Sequence, residues 1–242
     1  MISEFTEFIR SLAKDSYNDY FLEPGDIHND VISLCENESK LTFVDGGAHE
    51  GETIERVLNY YPDTEIHAFE PINEKATILK QKYREDEDIH IYDFALGASE
   101  KEAELNILES TSSSSLHNPT GKKSKLEVHH TIDRKEQVEQ VRLSNYVDNI
   151  DILKLDLQGG ELNALKGVDN IECIDMIMLE MRFLKYYENQ PSFCDLHEYL
   201  KTKEFKLYNV YSVKRGRVST TSSGKIKGCD GLYINNNIHD NL

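Results

Sequence analysis

The stretch LTFVDGGAHEGETIERVL, residues 41–58, decides how the rest of the chain is read. Leu41, Phe43 and Val44 form an apolar run that ends at Asp45. Gly46, Gly47 and Gly51 follow, and Ile54, Val57 and Leu58 then recur near helical spacing. That order describes a buried strand, a glycine-rich turn and a helix. Glycines let the backbone turn sharply and let a ligand lie against bare amides at a helix N-terminus, the arrangement of a nucleotide-cofactor site. Asp45 and Glu50 would repel a pyrophosphate at this spot and suit a cationic ligand better.

Working outward, residues 65–69 read as a second strand that ends in Glu70, 25 residues after Asp45. An acid roughly 20 residues beyond a glycine-rich turn is placed to accept both hydroxyl hydrogens of a ribose. A helix over 74–84, an acidic loop over 85–88 and a strand over 89–94 repeat the unit, and Ala95-Leu96-Gly97 follows. Strand and helix in alternation mean a parallel sheet with helices on both faces and ligands at the C-terminal rim of the strands. Asp45, Glu70 and Asp93 fall on that rim.

From 101 to 141 the character changes. Residues 103–108 alternate like an edge strand, the run Thr111-Ser112-Ser113-Ser114-Ser115 reads as flexible, and 121–125 is polar and basic, so the segment looks like an inserted flap. His117, His129 and His130 lie in it as surface imidazoles rather than catalytic groups. The sheet resumes with IDILKLDLQGGELNALKG, residues 150–167: a strand, Asp156 at its end, a Gly159-Gly160 turn, and Glu161 opening a helix where its charge suits the dipole. A further strand over 174–179 ends in Glu180. Asp156 and Glu180 therefore reach one rim, as catalytic carboxylates or as partners of Lys154 or Arg182. A metal held by Asp156, Glu161 and Glu180 lacks a recognisable ligand pattern, and no metal site is assigned.

At the C-terminal end, a helix over 192–203 precedes strands over 205–213 and 231–234. These read as an antiparallel pair closing the sheet across a mobile loop over 216–228. At the other end, Ile2, Phe5, Ile9 and Leu12 mark an N-terminal helix, and 30–36 adds a short one. The expected organisation is a helical extension over 1–40 and one domain over 41–242, with the insert at about 101–145.

With 242 residues the chain can bury a sizeable core. Lys and Arg number 27 against 44 Asp and Glu, a net charge of −17 that disfavours nucleic acid and anionic lipid, local lysines at 122, 123 and 125 aside. Four cysteines without a C-x-x-C pair read as reduced thiols. The N-terminus has acids from Glu4 onward and no apolar h-region, and no apolar run approaches ~18 residues. A soluble, cytoplasmic protein is expected, with room left for a homodimer.

The residues also resemble a known family, the FkbM-type methyltransferases within the class I S-adenosylmethionine-dependent enzymes, over roughly 41–235. VDGGAHEGET is similar to that family's D-x-G-A-N-x-G. AFEP at 68–71, ALG at 95–97 and SSL at 114–116 match in type and position. LKLDLQGGELNALKG is similar to K-x-D-x-x-G-x-E-x-x-x-L-x-G and is the most specific block; YYENQPSF and YLKTKEFKLYNVY also fit. Position 49 is His where the family carries Asn.

The resemblance implies a Rossmann-like α/β fold with a mostly parallel seven-stranded sheet and an antiparallel C-terminal strand. Asp45, Gly47 and Gly51 would shape the methionine end of S-adenosylmethionine, with Gly46, Ala48, His49 and Thr53 in the same turn. Glu70 would bind the ribose hydroxyls beside Pro71, Asp93, Phe94 and Ala95 would lie near the adenine, and Asp156 would lie near the transfer centre. The product would be S-adenosylhomocysteine. The activity implied is O-methylation of a hydroxyl on a sugar of a bacterial surface glycan, capsule or lipopolysaccharide, or on its nucleotide-activated precursor. Asp156 or Glu180 would be the general base, with residues 112–115 and Tyr186 or Tyr187 shaping the acceptor pocket. Other readings are a natural-product O-methyltransferase, a nicotinamide-dependent oxidoreductase, and a non-catalytic cofactor-binding subunit.

Overall fold

A computed structural model describes residues 26–35, 40–120, 131–215 and 226–237. Strand β1 (Leu41–Gly46) is buried along nearly its whole length because both neighbours pair with it in parallel. After its glycine turn, helix α2 (Glu52–Tyr60) starts with Gly51 in the left-handed region as its cap and buries Ile54 and Val57. It follows α1 (Ile27–Leu34), which begins at the Asp26 cap rather than near residue 30. The expected helix over 2–20 lies outside the described residues.

The chain then steps outward through β2 (Thr64–Phe69), α3 (Asn73–Lys82) and β3 (Ile89–Tyr92), and returns through β7 (Ile152–Leu155) to the other side of β1. Beyond β7 lie α4 (Glu161–Leu165), β8 (Met176–Arg182), α5 (Phe193–Thr202), β9 (Phe205–Arg215) and β10 (Ile226–Asn235). The main sheet has seven strands in the order β3-β2-β1-β7-β8-β10-β9, and β10 runs antiparallel to both neighbours. This is the doubly wound α/β architecture, with the antiparallel C-terminal strand, that the sequence resemblance implies. Its strand order reverses between β1 and β7, the point at which such sheets bind ligands.

Alternate residues of each strand feed two apolar layers. Phe43, Ile66, Ile152 and Met178 pack with Ile54, Val57 and Leu79 of the helices on one face. Val44, Leu153, Leu179 and Tyr233 pack with Leu165, Leu196 and Leu200 on the other. Burial of a side chain of this size contributes about 1.5–3 kcal/mol. The two layers are therefore the main source of stability.

Three sequence expectations change here. Strand β8 does not end at Glu180 but runs on to Arg182, because Glu180 pairs with Asp230 of β10. The closing strands are longer than 205–213 and 231–234; register shifts in β10 near Gly228 and Asp230 break the period that sequence reading relies on. The insert is not one edge strand and a loose loop. Strand β5 (Lys101–Leu108) pairs antiparallel with β6 (Ile132–Val141), and β6 pairs in parallel with β4 (Ala95–Leu96), a separate three-stranded sheet. Strand β6 escaped notice because Asp133, Arg134, Lys135 and Glu136 are not buried, so its first half carries no apolar alternation. Within the described residues no helix is long and apolar enough to cross a membrane. None of the four cysteines is in a disulfide.

Candidate active site

The rim of β1 and the rim of β7 touch. The Asp156 N–H donates to the carbonyl of Gly46 at 3.0 Å, and a Cβ on Gly47 would stand 2.3 Å from the Asp156 carbonyl oxygen. Gly47 also holds φ +84, so only glycine permits this junction. His49 likewise sits at positive φ, 49°, where Asn, Asp and His are the non-glycine residues most often found.

That turn aims its amides at Glu70. The His49 N–H donates to Glu70 Oε2 at 2.8 Å and the Ile72 N–H donates to Oε1 at 2.8 Å. Each carboxylate oxygen keeps a lone pair for a ligand hydroxyl. Burial pushes the Glu70 carboxyl up to about 7 despite those two N–H donors, and a hydroxyl pair donating to it favours the ionised form.

Asp45 behaves differently from expectation. It is fully buried, its Oδ1 accepts from Lys154 Nζ at 2.8 Å, and the same ammonium reaches the Gly47 carbonyl at 3.2 Å. Its Oδ2 is buried without a hydrogen-bond partner among the described residues. Glu50 is paired with Lys75. The acids that sequence reading set against a pyrophosphate are thus neutralised by lysines, and Asp45 supports the turn from behind. Asp93, expected near the adenine, faces outward to Lys80 at 2.8 Å because β3 stops at Tyr92.

A pocket of about 630 Å³, a volume that includes open solvent, lies at the switch point. Of the expected cofactor residues, Gly47, His49, Glu70, Pro71, Phe94, Ala95 and Asp156 line it. Asp45, Gly46, Ala48, Gly51, Thr53 and Asp93 do not. They build the strand end, the turn and the start of α2, or lie outside it.

Asp156 lies just past β7, and the Gln158 amide donates to its Oδ1 at 2.6 Å. Burial and the neighbouring Glu180 raise its carboxyl to about 6, against the pull of Lys154. Glu180 is not on the pocket wall. Burial pushes it up, but Arg182 and Lys214 outweigh that and hold it below the ordinary carboxylate range. Arg182 Nε lies 2.9 Å from its Oε2 and Lys214 Nζ 2.7 Å from its Oε1. The ion-pair reading of Glu180 is the one its surroundings match.

Gln158 ties this cluster together from a strained φ of 52°. Its amide also donates to Glu180 Oε2 at 3.0 Å, its Oε1 accepts from Arg182 at 2.7 Å and from Tyr187 Oη at 3.2 Å, and its carbonyl accepts from Ser115 Oγ at 2.8 Å. Sequence reading passed over it, since a glutamine between an acid and two glycines carries no charge signal. The serine run is correspondingly not loose. Residues Thr111–Ser113 form a 3-10 turn, and Ser115 is buried and exchanges two backbone bonds with Asn106. Ser112, Ser114 and Ser115 line the pocket. The Tyr187 hydroxyl donates to the Ser113 carbonyl at 2.6 Å, so this tyrosine braces the insert; the Arg182 guanidinium lies over the Tyr186 ring, and neither tyrosine is on the pocket wall. His117 packs on Gly159 away from the pocket wall, while His129 and His130 lie outside the described residues, as do the lysines at 122, 123 and 125. Asp156, Glu161 and Glu180 do not converge as metal ligands among the described residues.

Solved structures similar to this chain include an rRNA methylase from Streptococcus thermophilus at 10% identity, covering 88% of this chain and 98% of that one with a TM-score of 0.48. A SAM-dependent methyltransferase from Aquifex aeolicus matches at 11% identity, 93% and 96% coverage and a TM-score of 0.44. The M. capricolum TrmK structure in complex with S-adenosyl-homocysteine matches at 12% identity, 87% and 67% coverage and a TM-score of 0.45. No curated protein matches by sequence. The profile of the Methyltransferase FkbM domain matches residues 45–207. Because that match runs from the Asp45 turn through the Asp156 block into β9 and covers more than half of the sequence, the chain belongs to the FkbM methyltransferase family.

Proposed function

We propose that this methyltransferase uses S-adenosylmethionine to O-methylate a hydroxyl of a sugar, in a bacterial surface glycan or its nucleotide-activated precursor. The observation that carries the proposal is a raised carboxyl, Asp156, on the wall of a pocket that also holds the buried Glu70. The cofactor fits the residues present. Glu70 has two free lone pairs for ribose hydroxyls, the Gly47 turn leaves backbone bare, and Phe94, Ala95 and Ile72 offer apolar wall. When bound, S-adenosylmethionine supplies an activated methyl group on a sulfonium and leaves as S-adenosylhomocysteine.

The protein's own contribution is then orientation and proton handling. A sugar hydroxyl has a high pKa, so a base within hydrogen-bond reach assists its attack. Asp156 takes that role, and its carboxyl near 6 is ionised at neutral pH yet basic enough to accept a proton. Gln158, itself held by Arg182 and Tyr187, fixes the Asp156 carboxylate, and Glu180 positions that network without touching the acceptor. Thr111, Ser112, Ser114 and Gln158 place hydroxyls and an amide on the pocket wall, a lining suited to a polyhydroxylated acceptor.

The test is a screen of nucleotide-sugars and oligosaccharides with methyl-labelled S-adenosylmethionine, followed by Asp156→Asn on the acceptor found. Turnover should fall roughly 10²- to 10⁴-fold while S-adenosylhomocysteine binding changes little. Unaltered turnover removes Asp156 as the base. Stabilisation by NADH but not by S-adenosylhomocysteine would overturn the cofactor assignment.

A further inference from the structure

Further back along β2 and β3 than the pocket rim, and off the pocket wall, lies a second cluster that methyl transfer does not use. His67 and His90 are register partners on these parallel strands, and Glu65 lies two residues before His67 on the same face. Glu65 Oε1 stands 3.3 Å from His67 Nε2 and 3.4 Å from His90 Nε2. One ligand atom from each of the three residues falls within 4.8 Å of the others. We propose that Glu65, His67 and His90 form a transition-metal site, best suited to Zn²⁺, that clips edge strand β3 to β2.

The distances match the chemistry. Nitrogen and oxygen ligands lie ~2.0–2.2 Å from a tetrahedral Zn²⁺, which puts any two of them roughly 3.3–3.5 Å apart. The two contacts to Glu65 Oε1 already have that separation, and the ligand atoms of the two histidines lie within 4.8 Å of each other. Two imidazoles and a carboxylate are borderline donors of the kind zinc takes, and they leave a fourth position for water.

The surroundings prepare the ligands. His67 Nδ1 lies 3.1 Å from the Tyr92 hydroxyl, an outer partner that orients the ring with Nε2 toward Glu65. The rings stack at 4.7 Å between centroids, and both ride on paired strands rather than loops. Glu65 and His90 side chains are 36% and 40% exposed, which leaves the site open to an entering ion. Lys40 is the competing cation, 3.9 Å from Glu65 Oε2, but its closer partner is Asp88 at 2.8 Å.

A second group, His49, Glu50 and Glu52, also brings ligand atoms together, but Glu50 is bound to Lys75 and His49 to Thr111. It serves as the control. The full chain, stripped with a chelator, is titrated with Zn²⁺ by calorimetry and with Co²⁺ by visible absorption, alongside His90→Ala, Glu65→Gln and His49→Ala. The expected result is a saturable site that weakens at least tenfold in His90→Ala and Glu65→Gln and is unchanged in His49→Ala. Zn²⁺ should raise the Tm of the parent and of His49→Ala only, and Co²⁺ should give the intense visible bands of tetrahedral coordination. No saturable binding, equal affinity in the parent and Glu65→Gln, or loss in His49→Ala alone overturns the proposal. Glu65→Gln keeps the ring stack and decides the matter if His90→Ala does not fold.

Discussion

Replacing Lys154 by Met tests the claim that Asp45 acts from behind the cofactor turn. Asp45 is fully buried, its described cation partner is Lys154 at 2.8 Å, and its second oxygen has no hydrogen-bond partner among the described residues. Methionine matches the length of the lysine stem, so packing is kept while the ammonium is removed. Stranding one charge of a buried pair costs about 3–5 kcal/mol. For a domain of this size each kcal/mol moves Tm by about 2–4 °C, so the drop is on the order of 6–20 °C. The double variant Asp45→Asn with Lys154→Met removes both charges and should recover more than half of that loss. Lys154 also holds the Gly47 carbonyl, so the single variant should bind S-adenosylhomocysteine more weakly even where it is folded. Differential scanning calorimetry and calorimetric titration measure both effects. A Lys154→Met protein with parental Tm, or a double variant no more stable than the single, refutes the argument.

Gly47→Ala places a Cβ 2.3 Å from the Asp156 carbonyl at a φ of +84 and should abolish detectable S-adenosylhomocysteine binding; a titration showing affinity within twofold of the parent would contradict the close approach. Glu161 accepts from the Leu157 and Gly159 N–H groups, and burial raises its carboxyl from 4.5 to about 7. A raised acid binds its proton in the folded state between those values while the unfolded chain has released it. The stability of the parent relative to Glu161→Gln should therefore fall as pH rises from 4.5 to 7 and level off above. Denaturant midpoints across that range check the sign, and a pH-independent difference falsifies it.

The parts of the fold legible in the sequence are those where one physical signal acted alone. The apolar run 41–44, the run 152–155 and the glycines between each strand and its helix announce parallel units, because such strands are buried on both faces and need no alternation. Glu70 was legible for the same reason, as an acid ending an apolar strand. Partnering between strands was not. Asp45 looks like a ligand-facing acid until Lys154 of β7 is seen to consume its charge; for Glu180, Arg182 stands two residues on in the same strand and was a candidate partner from the sequence, but Lys214 comes from β9. The serine run reads as flexible by composition, yet its order comes from long-range bonds to Asn106, Gln158 and Tyr187. Composition reports local preference, and tertiary bonds of this kind override it.

His49 shows how the two kinds of information combine. Where the motif that this stretch resembles has Asn, a hydrogen-bonding role is the obvious reading, but the backbone at this position has φ 49°, a conformation that Asn and His both tolerate and most side chains do not. The bond that matters to Glu70 comes from the His49 main chain, so either side chain leaves it intact. What histidine adds is reach. Its Nε2 lies 2.9 Å from the Thr111 hydroxyl, joining the cofactor turn to the insert across the mouth of the pocket. An asparagine is too short to span that gap from the same backbone position. Histidine therefore leaves the main-chain bond to Glu70 untouched and adds a side-chain contact between the turn and the insert.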